Sequence, residues 1–344
     1  MSTLFLDPGS TKIEIEQSIN NNTRFVLITD HYPCKMGSSP GAENWIHNIM
    51  KQFPDCLFIN AVYRQEPFDN EIWFPFHFFR TVMDTYEWNA DFNVQRHKTC
   101  NAIGGQSRIS RTLLSFWLAK NYPMENLIYN FTQNESLVPI QKIIEISPYH
   151  KKSHLHPRKF LVDNFKQSFE DSTNVEVAIK HLLPNIISKS YIALSAEATG
   201  VELGAKICGY THHLMLGGNI VLPIGNFMGH SLLENLGFDT FPDLLNFNSL
   251  MAEDRYQMSI GVLEDNKKVL CDHDLVQDYY HSNTSRLEHN RQLILDFQHF
   301  TDYFKPKLKV IKDALGLVDP NHAKFLKDFR DVGRALTWIK NFSQ

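Results

Sequence analysis

The stretch Lys98–Phe131, KTCNAIGGQSRISRTLLSFWLAKNYPMENLIYNF, constrains the fold more than any other part of the chain. A β-type run (Thr99–Ile103) meets a Gly-Gly turn, and a polar loop follows with Ser107, Arg108, Ser110 and Arg111. An amphipathic helix pattern (Thr112–Asn121) then leads into a second β-type run (Leu127–Thr132). A strand that turns directly into a helix leaves unpaired N–H groups and the positive end of the helix dipole at the turn. Two arginines at that turn add charge and planar donors suited to phosphate. The sequence GGQSRISR lacks the Gly-Lys-Ser/Thr ending of a P-loop and is not G-x-G-x-x-G. It therefore predicts an anion site of another nucleotide-binding α/β type. The alternative is that Arg108 and Arg111 are solvated first-turn side chains.

The same alternation opens the chain. Thr23–Thr29 is a continuous apolar run that ends in Asp30-His31-Tyr32-Pro33, as a buried parallel strand opening into a loop would. A helix pattern from Ala42 to about Gln52 and a second strand, Cys56–Val62, complete a βαβ unit. Trp73–Phe92 is aromatic-rich, with Phe74–Met83 helical in pattern. Helical patterns recur at Arg158–Phe169 and Asn174–Leu182. Beyond them come a strand at Tyr191–Ser195, a helix at Glu202–Leu216, a strand at Ile220–Ile224 and a helix at His230–Leu236 stopped by Gly237. From Leu250 onward the pattern is helical. The expected fold class is α/β, with two doubly wound domains facing a cleft and a helical C-terminus. Residues 1–95 form the first domain, 96–325 the second, and 326–344 a C-terminal helix that crosses back.

Composition narrows the classes. With 344 residues the chain can hold two cores, and 43% hydrophobic with 21% charged residues is ordinary for a globular protein. No apolar run approaches the ~20 residues of a membrane span, and the N-terminus has no signal-peptide character. Five scattered cysteines without C-x-x-C pairing predict reduced thiols and a cytoplasmic setting. A net charge of −4 argues against binding nucleic acid by bulk charge, although His150–Lys159 is locally basic.

Asp30 and His31 stand where the first strand ends, the edge at which parallel sheets bind ligands, and either could take a proton from an acceptor hydroxyl. The same residues also make good turn chemistry. Glu197 and Glu202 in SAEATGVELGAK could accept ribose hydroxyls, and Lys206 could meet a diphosphate; alternatively Glu202 and Lys206 are an i,i+4 surface pair. Gly225-Asn226 ends the run IVLPIGN, where a glycine permits close backbone approach to a ligand or simply makes a βα turn. His212 and His213 are adjacent, so on a helix they point about 100° apart and cannot share one ion, and no metal is expected.

Read together, KTCNAIGGQSRISRTLLSFWLAKNYPMENLIYNF, SKSYIALSAEATG and GNIVLPIGNFMGHSLLENLGFDTFPDLLN resemble the donor domain of phage, giant-virus and marine microbial glycosyltransferases, distant kin of the fucosyltransferase-like two-Rossmann enzymes. LLENLGFDTFPDL (Leu232–Leu244) is the most specific match. The resemblance covers residues 98–131 and 188–300. It implies a GT-B architecture, a nucleotide-sugar donor (a UDP-sugar first) held by the second domain, and inversion without metal or other cofactor. Arg108 and Arg111 fall at the family's donor-side arginines and Glu197 at its Glu after the strand. Ser107, Glu202, Lys206, Gly225 and Asn226 complete the expected donor site, and Asp30 and His31 are the catalytic candidates. The family's T/S-E-K-T motif is absent as such, which puts Lys206 in doubt. The acceptor implied is 5-hydroxymethylcytosine in double-stranded phage DNA, with Trp73, Phe74 and Trp88 available to wedge or stack bases. The alternatives are a glycan or small-molecule acceptor, or a non-catalytic binding protein on a degenerate GT-B scaffold. A Rossmann oxidoreductase is disfavoured, because no G-x-G-x-x-G follows a strand.

Overall fold

The structure, a computed structural model, describes residues 4–6, 25–29, 48, 50–60, 63, 67, 69–75, 95–104, 109–131, 187–196, 205, 207, 209–252 and 256–316. By contacts the chain divides into two compact units, one of Met1–Asp84, Leu203–Gly209 and Asp296–Gln344, the other of Thr85–Glu202 and Tyr210–Leu295. Each is α/β with a parallel sheet.

The first unit's sheet contains β1 (Leu4–Leu6), β2 (Phe25–Thr29), β3 (Leu57–Asn60) and β4 (Glu71–Trp73), adjacent in chain order and all parallel. The apolar runs around Phe25 and Leu57 form strands as their composition predicts, whereas β1 is too short to leave a pattern. Trp73 and Phe74 pack against Phe304 at ring-centroid distances of 5.3 and 5.6 Å. Both are buried, so neither is available to stack a base, contrary to the expectation above. Phe304 lies on a long helix, Phe297–Gly316, which buries Phe300, Phe304, Leu308 and Ile311 at helical spacing. The Glu202–Leu216 helix begins only at Gly209, because Ala205 instead pairs antiparallel with Tyr63 through two backbone hydrogen bonds. The 158–169 and 174–182 patterns, all of 76–92, and 326–344 lie outside the described residues.

The second unit's sheet contains β5 (Lys98–Gly104), β6 (Leu127–Phe131), β7 (Ser190–Ala196) and β8 (Ile220–Ile224) in the spatial order β6-β5-β7-β8, all parallel. The chain moves outward from β5 to β6 through α1 (Ile109–Asn121), then returns to the other side of β5. Every residue of β7 and β8 is buried, as continuous Val/Ile/Leu/Ala runs require in a covered parallel sheet. At the sheet's amino-terminal edge Arg96 is 1% exposed. It donates to the carbonyls of Ile187 (3.3 Å), Ser190 and Gly217 (2.8 Å), and its guanidinium lies 4.7 Å from the ring of Tyr280. Asn219 supports the same corner, donating to Ile187 and Ser190 at 3.1 and 2.7 Å.

Helix α2 (Gly209–Leu216) precedes β8, and α3 (Gly229–Asn235) follows it. His212 and His213 of α2 are buried, and burial pushes both imidazoles down, His213 to about 4. Both rings are therefore uncharged in the folded chain at neutral pH, whereas an unfolded histidine titrates near ~6.5. Below that value the unfolded chain binds more protons, so this contribution is complete above about pH 6.5 and is lost as pH falls towards the folded value. We expect the unfolding free energy from urea titration to fall between pH 7 and 4, by up to about 3 kcal/mol for His213. His213→Asn should flatten that limb; an unchanged pH slope in the variant would place the protons elsewhere.

Candidate functional site

In a parallel α/β sheet the crevice between strands whose connections leave in opposite directions is where a ligand can meet helix N-termini and backbone donors. Here that point is the carboxyl edge of β5 and β7, and the first turn of α1 lies across it. Arg111 is half-buried, and its Nε donates to the carbonyl of Ala196, the last residue of β7, at 3.0 Å. An arginine from the helix after β5 thus reaches the end of the strand on the other side of the reversal. One residue earlier along β7, the Ser195 and Thr211 hydroxyls pair at 3.1 Å.

The end of β8 joins the same edge. Gly225 has φ +66°, and its N–H donates to Met258 at 3.0 Å. A Cβ at Gly225 would stand 2.1 Å from Ser110 Oγ and 2.8 Å from Ser259 Oγ. The glycine is thus required by two hydroxyls of the protein itself, one from the first turn of α1 and one from the π-helical turn Gln257–Gly261. Ser259 is fully buried and its Oγ has no hydrogen-bond partner. Asn226 is buried, and its carbonyl accepts from Gly229 at 3.0 Å.

Of the sequence-named donor residues, the structure brings Arg111, Gly225 and Asn226 to one edge. Ser107, Arg108, Glu197, Glu202 and Lys206 lie outside the described residues, as do the catalytic candidates Asp30 and His31, although β2 ends at Thr29, immediately before them. The basic stretch 150–159 and Trp88 are also outside them. Ser259 escapes sequence reasoning, since a serine in a helical pattern carries no motif, and Ser110, expected only as part of the polar loop, stands in the first turn of α1. Among the described residues no group of three or more His, Cys, Asp or Glu side chains is placed to hold a metal, and no helix is long and apolar enough to cross a membrane.

The segment LGFDTFPDL has a structural task. Gly237, at φ +92°, ends α3. Asp239 Oδ1 accepts from the Phe241 N–H at 2.9 Å, which helps hold Phe241 at φ +60°. Arg286 then grips both Asp239 (2.5 and 2.7 Å) and Asp243 (2.9 and 3.0 Å), with its guanidinium 4.7 Å from the Phe241 ring. Hydrogen bonds from Arg286 hold the Asp243 carboxyl down at about 2. The residue types that carry the strongest resemblance therefore brace the loop after α3 against the helix Thr284–Leu295.

Compared with protein-family models and with curated proteins, the chain matches none.

Proposed function

We propose that the protein is a glycosyltransferase of GT-B plan, transferring a sugar from a nucleotide-sugar, a UDP-sugar first, to an acceptor hydroxyl with inversion and without a metal. The observation that supports this most is Arg111 at the strand reversal of the second sheet, tied to the end of β7. A departing nucleoside diphosphate needs its new charge neutralised, and a guanidinium beside a helix N-terminus does so without reorganising. Arg108, one helical turn before Thr112, adds a second guanidinium on this reading, and Ser107, Glu197, Glu202 and Lys206 complete the donor set. The acceptor proton goes to Asp30 or His31, after β2 of the first sheet. The proposed acceptor is a hydroxymethylated base in double-stranded DNA, with a glycan as the alternative. Burial of Trp73 and Phe74 removes one support for DNA.

The chemistry divides cleanly between variants. Arg111→Ala and Arg108→Ala should each lower donor use about 10²-fold or more, measured as kcat/KM for the sugar nucleotide. Asp30→Asn or His31→Ala should remove transfer while nucleotide binding persists. Wild-type kinetics in both arginine variants end the donor assignment, and unchanged turnover in both of the others moves the base elsewhere.

A further inference from the structure

A cleft of about 530 Å³ opens beside α3, lined by His230, Glu234, Asp243, Asn246, Asn248 and Met251 among others. It belongs wholly to the second unit and is built from residues that the donor reading does not use. His230 lies flat on Phe247, with ring centroids 4.8 Å apart and planes 9° from parallel, so the imidazole is a rigid plate backed by a buried ring. Its Nδ1 is buried without a hydrogen-bond partner. Protonation there would leave a buried unpaired N–H, and burial pushes the group down despite the opposing field of Glu234. The plate is neutral.

Polar groups of a particular kind surround it. The Asn248 side-chain amide bonds no other described residue, and Asn246 uses only its Oδ1, which accepts from the Asn248 N–H at 2.9 Å. Glu234 accepts from the Thr240 hydroxyl through Oε1 alone, at 2.6 Å, so Oε2 has no described partner. Met251, 47% exposed, contributes apolar surface. Among the described residues no lysine or arginine lines the cleft, and the Asp243 carboxylate is already held by Arg286 and Tyr279. Phosphate would meet Glu234 and Asp243 without a cation to receive it. A neutral ring with one C–H face and several hydroxyls suits every group present. The C–H face lies on the plate, and hydroxyls pair with two amides, which donate and accept, and with a carboxylate, which accepts.

We propose that this cleft is a saccharide-binding site, separate from the carboxyl-edge nucleotide site. The glycosyltransferase reading is not needed for it. Such a site would hold a sugar chain while another part of it, or another molecule, reacts.

The test is titration of the full chain with glucose, galactose, N-acetylglucosamine and maltose, read by saturation-transfer NMR and calorimetry. Uridine and putrescine serve as comparison probes. At least one saccharide should bind, and Asn248→Ala and Glu234→Gln, both exposed positions, should each weaken it about tenfold, the loss of one or two hydrogen bonds. His230→Phe, which keeps the stack, should retain binding, and so should Arg111→Ala. Failure of every saccharide at 10 mM (about the weakest affinity such a site would show), binding of uridine or putrescine in their place, or saccharide binding indifferent to Asn248→Ala and Glu234→Gln would overturn the proposal.

Discussion

Arg96→Ala is expected to destabilise the second unit by about 3–5 kcal/mol, seen as a fall in the urea midpoint and as early exchange of the β5 and β7 amides. Three buried carbonyls, of Ile187, Ser190 and Gly217, lose charge-assisted hydrogen bonds together, each worth ~1.5–3 kcal/mol, although Asn219 still donates to those of Ile187 and Ser190. The side chain also leaves a void against Tyr280. Arg96→Lys should recover little, because a single ammonium cannot serve carbonyls arranged around a planar fork. An unfolding free energy within ~0.5 kcal/mol of wild type would show that water replaces the guanidinium at no cost.

Gly225→Ala should cost about 2–4 kcal/mol, from the left-handed backbone and from the intrusion on Ser110 and Ser259 combined. The two parts are separable. Adding Ser110→Gly removes the 2.1 Å contact but not the φ of +66°, so the double variant should regain roughly half. Because Ser110 stands beside Arg111, the single variant should also weaken nucleotide binding more than its stability loss alone accounts for. Full additivity of Gly225→Ala and Ser110→Gly would mean the two positions do not touch.

The strands of the second sheet were legible because burial on both faces forces unbroken apolar runs. Ile220–Ile224 is bounded by Gly218-Asn219 and Gly225, and Ser190–Ala196 by a polar lysine turn. Helix α1 was legible from its amphipathic periodicity, although its first turn begins at Ile109 rather than Thr112. Arg96 was not, since beside His97 and Lys98 it looks like part of a solvated basic run, and only the fold supplies its three carbonyls. The Glu202–Leu216 pattern overran because Ala205 is recruited by Tyr63, 142 positions earlier, and long-range pairing of that kind leaves no local trace. The chain passes from one unit to the other between Leu295 and Asp296 with neither glycine nor proline to mark it. At the site, Arg111 and Gly225 were found through their positions after strands. Ser259 was hidden in a helical stretch, where a single hydroxyl looks like any solvent-facing serine.

The claim that most depends on the site is that an activated sugar's diphosphate rests at the carboxyl edge of β5 and β7. Thermal denaturation of the full chain with UDP, GDP and their sugar conjugates addresses it directly. At a hundredfold excess over Kd, one nucleotide series should stabilise the protein by ~2.7 kcal/mol, and Arg111→Ala should abolish most of that gain. No stabilisation by any nucleotide, or a gain that Arg111→Ala leaves intact, would contradict the account.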